Sequence, residues 1–322
     1  MLGCASIADR MVIPAIKSSA SFNLVAVASR TKEKADAYAT KFDCGAVTGY
    51  ENLLTRNDIE AVYIPLPTGL HFEWAIEALK HNKHILIEKS LAGTFDEVSQ
   101  IVSLAKEKNL LVCENFMFEY HRQFGLIKNI LKNGTLGSLR CIRSSFGFPP
   151  FGDADNIRYQ AELGGGALLD AGAYTIKVAG ILTEYRPKLI GASLSIDEKR
   201  GVDLFGGIMM KFESGCVIET AFGFDHFYQC NLEIWGTKGK LTADRIFTAG
   251  PGISPRITIE SNNGKEIIDV EPDNHFVNLL EDFARRIEHR EFGQAYEAVL
   301  VQAKMLDQVR TNAVRDNLKI QS

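Results

Sequence analysis

MLGCASIADRMVIPAI, residues 1–16, decides how the rest of the chain is read. Gly3-Cys4-Ala5-Ser6-Ile7-Ala8 has the spacing G-x-A-x-x-A and runs straight into an apolar, helix-like stretch. This is a loosened dinucleotide turn, in which small residues let the backbone approach a pyrophosphate at a helix N-terminus. Such a turn normally leaves a buried β-strand, yet only Met1 and Leu2 precede it. Three readings stand: a cofactor site lacking its first strand, a start placed too late, or an ordinary helix start.

Outward from that turn, short apolar runs alternate with amphipathic stretches. Residues 24–28, 61–64, 84–87 and 110–113 read as strands, and 31–42 and 70–81 as helices. Thr94-Phe95-Asp96-Glu97 is a capping box ahead of a helix carrying Val98, Ile101, Val102 and Ala105. Strands that are apolar throughout, alternating with helices, predict a parallel sheet covered on both faces. The pattern changes after about residue 138. A helix over 123–132 ends at Asn133-Gly134, and strand-like segments follow at 139–148, 189–196, 204–212, 216–224 and 230–235. One helix interrupts them after Gly164-Gly165-Gly166, and two more close the chain near 276–288 and 295–310. The expected architecture is an α/β Rossmann-type dinucleotide-binding domain over 1–116 with its first strand truncated, plus an α+β domain over 117–322. The second domain has a largely antiparallel, open-faced sheet, and the C-terminal helix is free to pack back on the first domain.

Composition narrows the function classes. The 322 residues are 46% apolar and 24% charged with a net charge of −4, ordinary values for a soluble globular protein. Nothing points to nucleic acid or an anionic membrane surface. The six cysteines form no C-x-x-C pair, so reduced thiols and a cytoplasmic location are expected. No apolar run reaches the ~18 residues of a membrane span, and no basic-then-apolar leader opens the chain. His81 and His84 are divided between a helix end and a strand start, so no metal is expected.

Three stretches carry candidate chemistry. At the end of the second predicted strand, an NAD site places an acid for the ribose hydroxyls. This chain has Ser29-Arg30 there. A hydroxyl and a guanidinium suit a 2′-phosphate, so the site should prefer NADPH; the alternative is a solvated loop with a helix cap. Glu88-Lys89 follows the strand at 84–87 directly and should lie at the carboxyl-end crevice. A lysine there can bind a ribose or substrate hydroxyl, or hold charge near a developing alkoxide; otherwise the two are an exposed charge pair. In LGGGALLDAGAYTIKVA, Asp170 and Tyr174 are four apart and share a helix face. A tyrosine near an ammonium is a reasonable proton donor to a carbonyl oxygen; the bland alternative is a core tyrosine and a structural acid. Glu114, Tyr120 and His121 either line a polar pocket or serve structure.

Together these pieces resemble the glucose–fructose oxidoreductase/inositol dehydrogenase (Gfo/Idh/MocA) family. YIPLPTGLHFEWAIEALKHNKHILIEKSLA is similar to the family segment ending in Glu-Lys-Pro, with Ser90 in place of the proline, and GGGALLDAGAY is similar to its second motif. NFMFEYHRQ, RYQAELGGGALLDAGAY and FGFDHFYQCNLEIWGTKGKLTADRIFTAGP resemble the NDP-hexose 3-ketoreductase branch. The resemblance implies that Gly3, Ala5 and Ile7 lie under the pyrophosphate and Ser29 and Arg30 at the 2′-phosphate. It implies that Leu66, Pro67, Thr68 and His71 border the path to the nicotinamide, and that Glu88 helps hold its ribose. Lys89 and Tyr174 would be the catalytic pair, with Asp170 binding a sugar hydroxyl or orienting Lys89. Asn115, His121, Arg158, Tyr159 and Asp170 are expected on the substrate side.

The expectation is a homodimeric or homotetrameric, NADP(H)-preferring oxidoreductase, with NAD(H) as the alternative cofactor. It would reduce a keto group on a sugar, at C3 of a nucleotide-linked deoxyhexose. The rivals are a dehydrogenase of free sugars, polyols or dihydrodiols, and a catalytically silent family member.

Overall fold

The computed structural model describes residues 1–153, 155–184 and 187–318. Strands and helices run in the order α1 (Ile13–Ser18), β1 (Ala26–Ser29), α2 (Lys32–Phe42), β2 (Gly45–Thr48), α3 (Tyr50–Leu54), β3 (Ala61–Ile64), α4 (His71–Lys80), β4 (His84–Ile87), α5 (Phe95–Lys108), β5 (Val112–Glu114) and α6 (Arg122–Lys132). There follow β6 (Leu139–Gly147), α7 (Ala173–Leu182), β7 (Lys188–Asp197), β8 (Val202–Lys211), β9 (Val217–Gly223), β10 (Gln229–Gly236), β11 (Gly239–Asp244), β12 (Arg256–Ser261), β13 (Gly264–Asp269), α8 (His275–His289), α9 (Gly293–Asn312) and β14 (Val314–Leu318). The chain forms two compact units: Met1–Asn115 with Phe276–Ala303, and Phe116–His275 with Lys304–Ser322.

The first unit is a parallel layer. β1 pairs with β2, and β3, β4 and β5 pair in that order, all in parallel. Between β1 and β3 lie Met1 and Leu2. Leu2 bridges Ala28 in parallel. Ala28 N–H donates to the Met1 carbonyl at 2.9 Å, Gly3 N–H to the Ala28 carbonyl at 2.9 Å, and Leu2 N–H to the Tyr63 carbonyl at 2.9 Å. The two residues therefore occupy the central strand position at its carboxyl end, and the turn leaves from there as a Rossmann turn should. Behind them, a cavity of about 1000 Å³ opens among Val25, Ala26, Ala61, Val62, Phe283 and Ile287. The Met1 amine faces this apolar region and donates to the Ala26 carbonyl at 2.8 Å.

Helix starts follow local chemistry. Thr94 Oγ1 accepts from Glu97 N–H at 3.2 Å while Glu97 Oε2 accepts from Thr94 N–H at 3.0 Å, completing the predicted capping box. α8 and the first part of α9 belong to this unit. Glu281 accepts from the Ser19 and Ser21 hydroxyls at 2.6 and 2.5 Å, and Tyr296 donates to the Leu110 carbonyl at 2.7 Å.

The second unit is a nine-stranded sheet in the order β13-β12-β11-β10-β6-β9-β8-β7-β14. Six neighbouring pairs are antiparallel; β6–β9 and β7–β14 are parallel. α7 is buried along nearly its whole circumference, from Ala173 to Gly180, as an apolar helix in a core must be. It packs with Phe146, Ile218, Phe222, Leu232 and Ile234 of the sheet. Ile190 and Met209, on the two antiparallel strands β7 and β8, are exposed at 60% and 46%. All six cysteines are free. Among the described residues, no helix is long and apolar enough to cross a membrane, and no cluster of His, Cys, Asp or Glu is arranged to hold a metal.

Candidate active site

The sequence-predicted residues fall into two clusters, one per unit. In the first, Gly3 has φ +98°, and a Cβ there would lie 2.6 Å from Leu66 Cδ2. Glycine is required both by the left-handed backbone and by the Leu66 side chain against it. A helix begins two residues after Cys4, passes through a π-helical turn at Ala8–Val12, and continues as α1. Ala5 and Ile7 sit at its start, half-exposed, and the Ala5 carbonyl accepts from Asp9 N–H at 3.1 Å. The free N–H groups of such a start suit a phosphate.

At the carboxyl end of β1, Ser29 is buried and Arg30 is exposed. The Ser29 hydroxyl faces Thr31 N–H at 3.5 Å. The expected division of labour at a 2′-phosphate therefore shifts towards Arg30, whose guanidinium is the reachable one. No carboxylate replaces Ser29. This donor set, with the Gly3 cradle, fits a phosphorylated dinucleotide.

Beyond β3, Leu66, Pro67 and Thr68 are half-exposed, but His71 is fully buried. Its Nδ1 lies 2.7 Å from the Ser90 carbonyl and its Nε2 lies 2.7 Å from the Leu66 carbonyl. Burial lowers its pKa to about 4 although both carbonyls pull the other way. His71 thus ties the loop after β3 to the loop after β4 from beneath. That corrects the expectation of a residue bordering the cofactor path by direct contact.

Glu88 and Lys89 follow β4 and are half-buried. Glu88 Oε1 accepts from the Tyr63 hydroxyl and from Asn115 Nδ2, the latter at 2.6 Å. Burial raises the Glu88 carboxyl, against the pull of these two donors and of Lys89. The Lys89–Ser90 peptide is cis. Asn115 is 2% exposed, and its Nδ2 is engaged by Glu88. Glu114 accepts from Leu91 N–H at 2.8 Å and braces the same loop. Tyr63 was not among the expected site residues; a lone hydroxyl in the apolar run Ala61–Ile64 was its only signal.

In the second unit, a π-helical turn at Leu168–Gly172 leads into α7 and carries Asp170, with Tyr174 four residues on. Such turns inside helices are frequent at functional sites. Arg158 Nε donates to Asp170 Oδ2 at 2.5 Å, and its guanidinium lies over the Phe151 ring, 4.7 Å from the centroid. Tyr174 is ringed by Phe116, Phe118, Phe146 and Phe247 at centroid distances of 5.4, 5.7, 4.9 and 5.5 Å. Its hydroxyl points to Met117 Sδ at 3.7 Å. An aromatic box of this kind fixes the phenol's orientation.

Two expected substrate residues, His121 and Tyr159, make contacts within their own unit. His121 is 1% exposed. Its Nδ1 accepts from Gln123 N–H at 3.1 Å, capping α6, and its ring packs against His275. Tyr159 is buried; its hydroxyl oxygen accepts from Phe151 N–H at 3.0 Å and its ring stacks with Phe151 and Phe224. Arg158, on the same turn, is the one that reaches Asp170.

Comparison with known proteins agrees with this geometry. Residues 1–116 match the family described as the oxidoreductase family with an NAD-binding Rossmann fold, and residues 124–242 match the GFO/IDH/MocA C-terminal domain. The chain is 40% identical over 287 residues to dTDP-3,4-didehydro-2,6-dideoxy-α-D-glucose 3-reductase of Saccharopolyspora spinosa, covering 89% of this chain and 86% of the relative. The enzyme of the same name from Actinomadura kijaniata is 36% identical over 314 residues, 97% of this chain and 94% of the relative. The crystal structure of KijD10, a 3-ketoreductase from Actinomadura kijaniata in complex with NADP and TDP-benzene, superposes with a TM-score of 0.95 at 35% identity, covering 99% and 98% of the two chains. KijD10 has also been crystallised with a tyrosine changed to phenylalanine and with a lysine changed to alanine. The chain belongs to the GFO/IDH/MocA family of oxidoreductases.

Proposed function

We propose that this protein reduces the C3 ketone of a thymidine diphosphate-linked deoxysugar with NADPH. The observation that carries the reading is the Arg158–Asp170 pair set one helical turn before an oriented Tyr174. The names of its relatives, all at 36–40% identity in the two cases above, support the substrate class. The NADP bound in KijD10 supports the cofactor.

NADPH supplies the hydride for the carbonyl carbon. The chain's residues divide the remaining work. Gly3 and the helix start behind it receive the pyrophosphate, and exposed Arg30 binds the 2′-phosphate as a planar fork. Glu88, held by Tyr63 and Asn115, accepts from the nicotinamide ribose. Tyr174 gives its hydroxyl proton to the carbonyl oxygen as the alkoxide develops, and Lys89 supplies positive charge to that step. Asp170 accepts from a sugar hydroxyl, and Arg158 keeps it aimed. That KijD10 was studied with tyrosine and lysine substitutions is consistent with these two roles.

The test is loss of NADPH absorbance on adding dTDP-3,4-didehydro-2,6-dideoxy-α-D-glucose. Tyr174→Phe should lower kcat by roughly 10²–10⁴-fold, the usual worth of a positioned general acid, with NADPH affinity retained. Turnover of free sugars or polyols with NADP⁺, and none of the nucleotide sugar, would replace this reading with a dehydrogenase. A Tyr174→Phe variant of unchanged kcat would remove Tyr174 from the chemistry.

A further inference from the structure

The Gly164-Gly165-Gly166 run has an explanation that lies on a distant strand, at Asp203 of β8. Gly166 has φ +111°, and a Cβ on it would lie 2.4 Å from Asp203 Oδ1. Asp203 Oδ2 accepts from Leu168 N–H at 2.6 Å. One carboxylate on β8 therefore fills the space a side chain would take at Gly166 and receives an amide at the start of the helix bearing Asp170 and Tyr174. The first N–H groups of a helix have no partner within it, and a carboxylate is the strongest acceptor a chain can offer them. The usual cap is the residue immediately before the helix. Here Ala167 cannot act as one, and the sheet supplies the acceptor instead.

The other side of the same glycine run is fixed by the Arg158 turn. Gly166 N–H donates to the Arg158 carbonyl at 2.9 Å, and Gly165 N–H to the Gln160 carbonyl at 3.0 Å. A Cβ on Gly165 would lie 2.6 Å from that Arg158 carbonyl. The backbone of Arg158 thus grips the glycines while its side chain pairs with Asp170. Asp203 and the Arg158 turn hold the helix start from two directions, and the helix continues unbroken to Tyr174.

We infer that Asp203 is a positioning residue for the reaction: it sets the place of Asp170 and Tyr174 by anchoring the start of their helix to β8. The inference rests on the proposed reduction for its kinetic readout. Burial raises the Asp203 carboxyl to about 6, against the pull of the Leu168 and Ala167 amides and of Arg315. A carboxylate retained in so unfavourable a place is one whose hydrogen bonds matter to the fold around it.

Asp203→Ala should lower kcat by about 10–100-fold with saturating NADPH and dTDP-3,4-didehydro-2,6-dideoxy-α-D-glucose, since misplacement by an ångström costs about that much. The KM for NADPH should stay within about twofold, because the cofactor residues lie in the other unit. Asp203→Asn, whose carbonyl oxygen can still accept from Leu168 N–H, should recover most of the loss. In a Tyr174→Phe background, Asp203→Ala should cost less than about threefold, because the group it positions is gone. Ile218→Val, a core change in β9, controls for general loosening and should leave kcat near wild type. If Asp203→Ala does not fold, Gly166→Ala, whose Cβ would meet Asp203 Oδ1, carries the same comparison. Amide exchange over residues 168–174 gives an arm independent of turnover, and it should quicken by about tenfold or more in Asp203→Ala or Gly166→Ala and stay near wild type in Asp203→Asn. Wild-type kcat in Asp203→Ala, full multiplicativity with Tyr174→Phe, or unchanged exchange in Asp203→Ala or Gly166→Ala would overturn the inference. A wild-type protein without turnover would sink the proposed reduction, and the exchange arm would still decide whether Asp203 anchors the helix.

Discussion

Arg158 Nε donates to Asp170 Oδ2 at 2.5 Å, joining a short 3₁₀ turn at Ile157–Tyr159 to the first turn of the helix that carries Tyr174. The pair is partly open to solvent, with side-chain exposures of 37% and 17%. An ion pair of that kind contributes little stability, about 0–1 kcal/mol. Its geometry is the more telling feature, because a carboxylate offers about four lone-pair sites and the Arg158 Nε contact occupies one of them. Arg158→Ala and Asp170→Asn should each raise the KM for the nucleotide sugar by about tenfold, the worth of one hydrogen bond to a charged group, while shifting Tm by only a few degrees. Arg158→Lys should behave like Arg158→Ala, since an ammonium lacks the planar face that lies over Phe151 and aims Nε at Asp170. Steady-state kinetics alongside thermal melts decide it: a large Tm loss with unchanged KM would make the pair structural.

Arg30 sets the second prediction. It is exposed at the end of β1, next to a serine that is turned inward. If its guanidinium is the 2′-phosphate ligand, Arg30→Ala removes one charge-assisted contact worth about 1.5–3 kcal/mol, or roughly 10–150-fold in NADPH affinity. NADH lacks the phosphate, so its affinity should not move. Fluorescence titration of wild type and variant with both cofactors reads the ratio directly. Equal losses for the two would mean that Arg30 supports the loop and does not read the phosphate.

A third prediction concerns the carboxylate that no solvent needs to reach. Glu88 Oε1 takes two donors, Tyr63 and Asn115. Tyr63→Phe leaves Glu88 short of one hydrogen bond in a buried place, a change worth about 1–3 kcal/mol. The variant should lose that much stability and bind NADPH about tenfold more weakly, because a carboxyl shifted further towards its neutral form is a poorer acceptor for ribose hydroxyls. Denaturant titration and NADPH binding should move together. Loss of stability with unaltered binding would confine Tyr63 and Glu88 to the scaffold.

These sites differ in how far the residues alone betrayed them. The parallel strands are legible because β3 and β4 carry the continuous buried runs Val62–Ile64 and Ile85–Ile87, and the capping box because Thr94 and Glu97 stand at the expected spacing. β2 went unread: it is only four residues, half-exposed, and follows a left-handed Asp43. β11, β12 and β13 were folded into unassigned sequence because Thr, Lys and Glu alternate there on a sheet that faces solvent on one side. No apolar run marks a first strand, whereas Met1, Leu2 and Gly3 hold its carboxyl-end position through three backbone hydrogen bonds and an amine contact that no pattern announces. Of the candidate site, the spacing of Asp170 and Tyr174 and the position of Glu88 could be read directly. Asp203 could not, since its partner is a backbone amide 35 residues away, and side-chain-to-amide pairing leaves no periodicity. The resemblance places His71, His121 and Tyr159 at the site, and the contacts they make in the structure are with backbone carbonyls and amides.

The buried histidines set the response to acid. Burial lowers His71 and His275 from 6.5 to about 4. A base whose folded pKa is depressed binds its proton more tightly when unfolded. Between pH 6.5 and 4 the unfolded chain therefore takes up protons that the folded chain refuses, and stability falls as pH falls through that window. Each group contributes about 3 kcal/mol at full effect, from the standard conversion of a pKa difference to free energy. The Asp203 carboxyl works in the opposite sense: raised from 3.8 to about 6, it favours the folded state more as acid protonates it. It offsets part of the fall in its own unit, where His275 lies, and none in the unit of His71. The raised Glu88 carboxyl acts in the same sense as Asp203 in the unit of His71. Denaturant melts at pH 7 and pH 4.5, followed by Trp74 fluorescence in the first unit and Trp235 fluorescence in the second, should show a drop in stability for each signal. His71→Asn should be less stable than wild type at neutral pH, because its carbonyl partners at Leu66 and Ser90 lose the ring, and should lose distinctly less on going to pH 4.5. A variant with the wild-type acid response would show that His71 is not the group that titrates.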